Sequence, residues 1–467
     1  MPLFRRFHPR RPGLGSFLAV PLHALAPLLL TCMLAACNHA PDVAAASQVV
    51  KAASPASVGV QTQGEAVRPV PAYVGAPYAP VPGRPQPTAA QLTALGRQIF
   101  FDPSLSASGA QSCASCHDPR HAYGPPNALS VQLGGLDGRT PGPRAAPSLR
   151  YLQTLTAFSE HHHDTDGDDS VDAGPTGGRM WDGRAGSAHE QAGMPLMSPA
   201  EMGNASVEEV AGRLSRAAYA DEMRALFGDQ LFGDAAAAYR AASLALEVFQ
   251  ESPTDFYPFT SKYDAYLRGE RKLDAAEARG LKIFNAADKG NCATCHLSER
   301  TADGAFPLFT DFGFIAIGVP RNRGLPANAD PAYNDLGLCG PTRKDFADRP
   351  EYCGLFRTPS LRNVAVRQAF FHNGVFHSLD QVLRFYAQRD TAPERWYGRD
   401  AKGRPRRFDD LPTQYHGNVN VEPPFGQRRG GKPALSEAEI RDVVAFLKTL
   451  TDADQLPAAA AATSARR

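Results

Sequence analysis

Two pentapeptides carry the most specific chemistry in this 467-residue chain: Cys113-Ala114-Ser115-Cys116-His117 and Cys292-Ala293-Thr294-Cys295-His296. Each sets two thiols about one helical turn apart, so that both can form thioethers with the vinyl groups of a porphyrin while the adjacent imidazole ligates its iron. A redox dithiol or a shared zinc site uses the same residue types but gives no reason for a His directly after both second cysteines. The spacing predicts two covalently bound c-type haems, with His117 and His296 as proximal ligands. Of the four other cysteines, Cys32 and Cys37 lie at the N-terminus and Cys339 and Cys353 are left as a pair. In an oxidising envelope these two are expected to form a disulfide, worth about 3 kcal/mol by closing a loop in the unfolded chain.

What each haem does depends on its sixth ligand. The seven methionines are Met1, Met33, Met180, Met194, Met197, Met202 and Met223, so none lies in the second haem region. Tyr or His is then expected on the second iron, from His372, His377, Tyr386, Tyr397 and His416. Val382, Phe385 and Tyr386 also fit the core face of an ordinary helix, and the pattern alone does not choose.

The elements that must position these groups read as helices. Leu92, Leu95, Ile99 and Phe100 recur at helical spacing until Asp102-Pro103 stops the run, and the stretch from Ala276 to Phe284 repeats this ahead of the second Cys pair. Further helices are expected over Val207 to Phe227, Ala235 to Gln250 and Ser436 to Leu450, with a domain boundary at Pro253 to Pro258. No series of alternating strands is visible, and 41 Gly with 40 Pro predict long loops. The expected fold is mainly α: two cytochrome c-like haem domains, 91–255 and 256–455, with a disordered tail over 456–467. The net charge of +1, from 49 Lys+Arg against 48 Asp+Glu, sets nucleic-acid binding aside.

Arg5, Arg6, Arg10 and Arg11 precede an apolar, acid-free stretch ending in Leu34-Ala35-Ala36-Cys37, the order of an export signal with small residues before a Cys. Residues 1–36 read as a lipoprotein signal peptide and Cys37 as the lipidated first residue of the mature chain, with an uncleaved anchor as the alternative. Residues 37–90, rich in Ala and Pro, read as a flexible tether. This implies a periplasmic protein of a Gram-negative bacterium that meets the membrane through its lipid alone, and Asn38 points to the outer membrane. The loop over 161–172, with three His and alternating acids around Gly167, is a candidate cation site that lacks the full twelve-residue calcium pattern.

Beyond the haem motifs, the chain resembles the bacterial di-haem cytochrome c peroxidase and MauG superfamily over about Leu92 to Thr451. The resemblance rests on Leu105-Ser106, Trp181-Asp182-Gly183-Arg184-Ala185, Gln191-Ala192, Glu201-Met202, Phe356-Arg357-Thr358-Pro359-Ser360-Leu361-Arg362-Asn363 and Phe371-His372-Asn373-Gly374. It implies a peroxide-reactive first haem, an electron-exchanging second haem, Trp181 between them, Glu201 as distal acid-base residue and Gln191 as a distal amide. Three departures bear on the subclass. Tyr386 falls where peroxidases carry an axial Met, which is the MauG-like choice. No His follows His121 until His161, so the His that blocks the first haem in ordinary members is missing. The family's inter-haem calcium positions fall on Ala145, Arg367 and Ala369, which leaves calcium open and offers the Arg367 guanidinium in its place.

The function implied is a di-haem peroxidase reducing hydrogen peroxide through a high-valent iron state shared between the haems, with a periplasmic electron-donor protein. The alternatives are a MauG-like oxidase modifying residues of a partner protein, and a non-catalytic di-haem electron carrier. Reaction of the fully ferric protein with peroxide, without prior reduction, is expected.

Overall fold

The computed structural model describes residues 85–161 and 174–457. The export signal, Cys37, nearly all of the tether, almost all of the His/Asp loop and the last ten residues lie outside the described residues. Within them the chain is mainly helical with little sheet, as expected. Helix α1 (Ala89–Phe101) starts at a capping box in which Thr88 accepts from the Gln91 amide, and it ends at Asp102 before Pro103. The first Cys motif forms the single turn α2 (Cys113–Cys116), and the second forms a tighter 3-10 turn, Cys292–Thr294. Then come α3 (Ala188–Met197), α4 (Val207–Leu214), α5 (Ala220–Phe227) and α6 (Ala235–Gln250). The short α7 (Pro253–Phe256) and α8 (Lys262–Leu267) lead to α9 (Ala275–Asn285), α10 (Leu379–Gln388) and α11 (Glu437–Lys448).

The expected continuous helix from Val207 to Phe227 is in fact two. The chain turns at Ser215, whose hydroxyl donates to the Gly212 carbonyl. The break lets both pieces bury their own apolar residues, Val210 and Leu214 from one, Met223 and Phe227 from the other, in the same core.

Two large apolar clusters hold the molecule, one drawn from Leu92 to Phe256 and one from Tyr263 to Leu450. Each is built on a pair of helices that touch backbone to backbone. In α1 a Cβ at Gly96 would lie 1.9 Å from the Ala245 carbonyl oxygen of α6; in α9 a Cβ at Gly280 would lie 2.0 Å from that of Asp442 in α11. The local sequences match, Gly96-x-x-Ile99-Phe100 and Gly280-x-x-Ile283-Phe284. The same close crossing therefore stands just ahead of each Cys motif.

Strands are two residues long. β1 (Leu133–Gly134) pairs antiparallel with β2 (Thr140–Pro141), and β3 (Phe314–Ile315) with β4 (Phe356–Arg357). They fasten loops rather than form a layer. Cys339 and Cys353 are joined in a disulfide, Cα atoms 4.9 Å apart, inside a small third cluster with Phe314, Leu338 and Tyr352. Among the described residues no helix is long and apolar enough to cross a membrane.

Candidate functional site

Each Cys motif opens onto a cavity. The first has about 940 Å³ of non-atom space, part of it open to solvent, and is lined by Cys116, His117, Trp181, Gln191, Glu201 and Arg357 among others. His117 donates from Nδ1 to the Tyr123 carbonyl at 3.1 Å, which fixes the ring and leaves Nε2 as its ligating atom. Burial lowers its pKa to about 4, so the imidazole stays neutral and able to bind a metal. Burial likewise pushes Cys113 up to about 12 and Cys116 up to about 11, and none of the four motif cysteines is in a disulfide.

Glu201 is held by its backbone. Its amide donates to the Ser198 carbonyl at 3.0 Å just past α3, and its carbonyl accepts from Gly135 at 2.7 Å. The β1–β2 hairpin presses so closely that a Cβ on Gly134 would fall 2.3 Å from the Ala200 carbonyl oxygen. Burial raises the Glu201 pKa, offset in part by the Ser198 hydroxyl and Arg184. Gln191, buried on α3, lines the same space. His117 is the one imidazole among the described residues that line this cavity.

The second cavity, about 2090 Å³ of non-atom space, is lined by Cys292, Cys295, His296, His372 and Tyr386 among others. His296 donates from Nδ1 to the Phe309 carbonyl at 2.8 Å, and burial lowers its pKa as it does for His117. Tyr386 is carried by α10, near-parallel to Phe425 at 5.2 Å between ring centroids; burial raises its pKa while Arg389 pulls the other way. Three of the other ligand candidates are engaged elsewhere. His377 donates to the Gln368 carbonyl, Tyr397 to that of Gly318 and His416 to that of Leu411. His372 is buried against Phe356, rings 3.6 Å apart and 7° from parallel.

Trp181 lines both cavities. Its Nε1 donates to the Ala145 carbonyl at 2.8 Å, its own carbonyl accepts from the Arg357 amide at 2.9 Å, and its ring centroid lies 6.5 Å from that of His372. The next residue, Asp182, is fully buried and carries ion pairs to Arg144 at 2.7 Å and Arg184 at 2.8 Å; Arg144 also grips Asp335 at 2.7 Å. The guanidinium of Arg367 donates to the carbonyls of Ala146 at 3.1 Å and Ala369 at 3.3 Å.

Among the buried side-chain atoms here that have no hydrogen-bond partner are Arg357 Nη1 and His372 Nε2. Both residues line the second cavity, and Arg357 lines the first as well. Burial, with Arg179 nearby, drives the Arg357 pKa down to about 10. An unpaired buried cation beside a cavity is costly unless an anion joins it. A porphyrin that offers vinyl groups to the thiols, iron to the imidazole and carboxylates to these donors fits both cavities. In the sequence Arg357 is only a motif letter and His372 a motif letter and ligand candidate; their unpaired atoms are visible only in the fold. Arg144 and Asp335 carried no sequence signal, because their meaning lies in a pairing across 191 residues.

A family model described as di-haem cytochrome c peroxidase matches residues 90–272. The methylamine utilization protein MauG of Paracoccus denitrificans is 35% identical over 383 residues, 77% of this chain and 88% of the relative. The cytochrome c551 peroxidase of Pseudomonas aeruginosa is 29% identical over 303 residues, 64% of this chain and 72% of the relative. Among solved structures, the diheme peroxidase BthA of Burkholderia thailandensis superposes with a TM-score of 0.71 at 41% identity, covering 80% of this chain and 89% of that one. With two thiol-and-imidazole cavities joined by one Trp, these likenesses lead to a single conclusion: the chain belongs to the di-haem cytochrome c peroxidase and MauG superfamily and is a haem-dependent oxidoreductase of the peroxidase type.

Proposed function

We propose that this protein reduces hydrogen peroxide at its first cavity and draws the electrons through the second, in two haem domains spanning 91–255 and 256–455. The observation that carries this reading is Glu201, an acid with a raised pKa in the cavity that His117 faces, with Trp181 between that cavity and the next. Haem, when bound, supplies at each site an iron that exchanges electrons with peroxide or with a reductant. Cys113 and Cys116, and Cys292 and Cys295, would hold the two groups as thioethers, with His117 and His296 on iron. Arg357 and His372 would take their carboxylates, and Tyr386 would complete the second site.

The carboxylate of Glu201 takes the proton from one peroxide oxygen and returns it to the other, so that water leaves rather than hydroxide. Gln191 orients the peroxide, and Trp181 passes the electron between cavities. Arg367, bonded to the carbonyls of Ala146 and Ala369, supplies the positive charge for which calcium serves in the family pattern. Because no second imidazole of the described residues lines the first cavity, peroxide meets it without a preceding reductive opening.

A MauG-like oxidase that turns the same oxidising power on a partner protein is the second reading. Its support is Tyr386 in the second cavity and the 35% identity to MauG. Export, lipidation at Cys37 and periplasmic placement complete the proposal and rest on the N-terminal sequence.

The test has two parts. Haem staining after denaturing electrophoresis, with intact mass, should show two covalent haems; one or none ends the reading. One equivalent of peroxide added to the ferric protein should bleach both ferric signals in electron paramagnetic resonance. An inert ferric protein that reacts only after reduction would leave the gated peroxidase as the better account.

A further inference from the structure

The chain has two Trp, and the mechanism above uses one. The second, Trp396, follows the 3-10 turn Pro393–Arg395 and is half-buried, directly after the exposed Glu394 and Arg395 of that turn. Its ring meets Phe385 edge-on at 5.8 Å and Phe376 at 5.7 Å. Phe385 lies 6.1 Å from Tyr386; Phe376 lies 5.6 Å from Phe371, which in turn lies near-parallel to Tyr386 at 6.1 Å. Tyr386 and Phe371 line the second cavity, whereas Trp396 does not. Two chains of packed rings thus run from the wall of the second cavity to an indole one layer further out.

We propose that Trp396 is the outer relay of the second cavity, passing single electrons from a one-electron donor at the surface to the cavity wall that Tyr386 forms. The inference rests on the peroxide reading, which supplies the oxidant. Indole is far more readily oxidised than a phenylalanine ring, and the three Phe serve as close-packed medium between it and Tyr386. The Nε1 of Trp396 is buried with no hydrogen-bond partner. With no base to take its proton, the oxidised indole remains a radical cation and is restored by one incoming electron, with no proton moved. The Arg395 guanidinium, 5.8 Å over the ring, makes that cation costly, so only a strong oxidant draws the electron. One electron leaves Trp396 toward the second cavity and one arrives from the donor. Two such passages, with two protons from solvent, reduce one hydrogen peroxide to two waters. A ring that merely packs the second core would occupy the same place, and the experiment separates the two roles.

Holoprotein is treated with excess peroxide, once with ferrocyanide as donor and once without, then digested for peptide mass mapping. Without donor, the peptide carrying Trp396 should gain one or two oxygen atoms, and ferrocyanide should protect it. Stopped-flow absorbance should show ferrocyanide restoring the bleached spectrum about tenfold or more slowly in Trp396→Phe, with Trp396→Tyr recovering most of the rate. Bleaching with an unmodified Trp396 and equal recovery rates in the Phe and Tyr variants overturns the relay and leaves the peroxide reading standing. No bleaching at all overturns both. If the Phe variant does not fold, the peptide map of the unaltered protein decides.

Discussion

At the scale of single residues, the side chains that matter are set in protonation states by burial. His117 is neutral because its cavity disfavours the charged ring, and Glu201 holds its proton more tightly than an exposed glutamate for the same reason. A base with a raised pKa loses function as pH falls through that pKa. The rate of peroxide-driven bleaching should therefore fall on acidification at a pH above 4.5, the ordinary value for the group. Glu201→Gln should slow bleaching by about 100-fold at neutral pH and remove that pH limb, which stopped-flow mixing measures. Tyr386→Met should raise the potential of the second haem in a redox titration, since a thioether favours the reduced metal over a phenolate. The Cys and His motifs were legible in the sequence because covalent and ligand chemistry fixes their spacing. Arg357 was legible only as part of a motif, since what marks it, a buried Nη1 with no partner, exists only once Trp181 and Met180 are folded against it.

At the scale of elements, helix periodicity located α6, α9 and α11 to within a residue or two and α1 to within three, with Thr88, Asp234, Asp274 and Ser436 capping them. It failed between Val207 and Phe227 because apolar spacing on both sides of Ser215 is helical while the turn is set by packing onto the same core. Periodicity also says nothing of Gly96 and Gly280, whose value is the absence of a Cβ at a crossing with no room for one. Gly280→Ala should either push α9 off α11 or prevent folding, costing about 3 kcal/mol or more in chemical denaturation, and Gly96→Ala should do the same to α1 and α6. An exposed Gly with open space around a Cβ, such as Gly233, is the control, and Gly233→Ala should change stability by about 0.5 kcal/mol or less.

At the scale of the whole molecule, the two halves are tied across the Trp181 passage by charge. Arg144 bridges Asp182 and Asp335, and Arg150 reaches from the first half to Asp452 and Asp454 near the C-terminus at 3.1 and 2.6 Å. Burial alone would raise the Asp335 pKa, yet Arg144 holds it below the ordinary 3.8. A group with a depressed folded pKa stabilises above its unfolded value and loses that contribution as pH falls through the folded one. Stability should therefore decline below about pH 4, and Asp335→Asn should flatten that decline while lowering stability at neutral pH, both read from thermal unfolding across pH. The sequence could not show these pairs, because each joins residues far apart in the chain and, Asp182 apart, none of them belongs to a motif.

The described cysteines divide between two uses, four in the Cys-x-x-Cys-His motifs and two in one disulfide, and this sets a sorting problem for biosynthesis. Surroundings oxidising enough to join Cys339 to Cys353 also favour joining Cys113 to Cys116 and Cys292 to Cys295, which lie closer in sequence. In the folded chain before haem is attached, burial raises the pKa of Cys113, Cys116 and Cys292 and so keeps their ionisation low. The vulnerable interval comes earlier, while the chain is open and its thiols are ordinary. Chains released into an oxidising compartment without a local reductant should accumulate with both motif pairs oxidised, seen as loss of thiol labelling at those four positions. The cell that makes this protein must supply electrons to two thiol pairs while withdrawing them from a third.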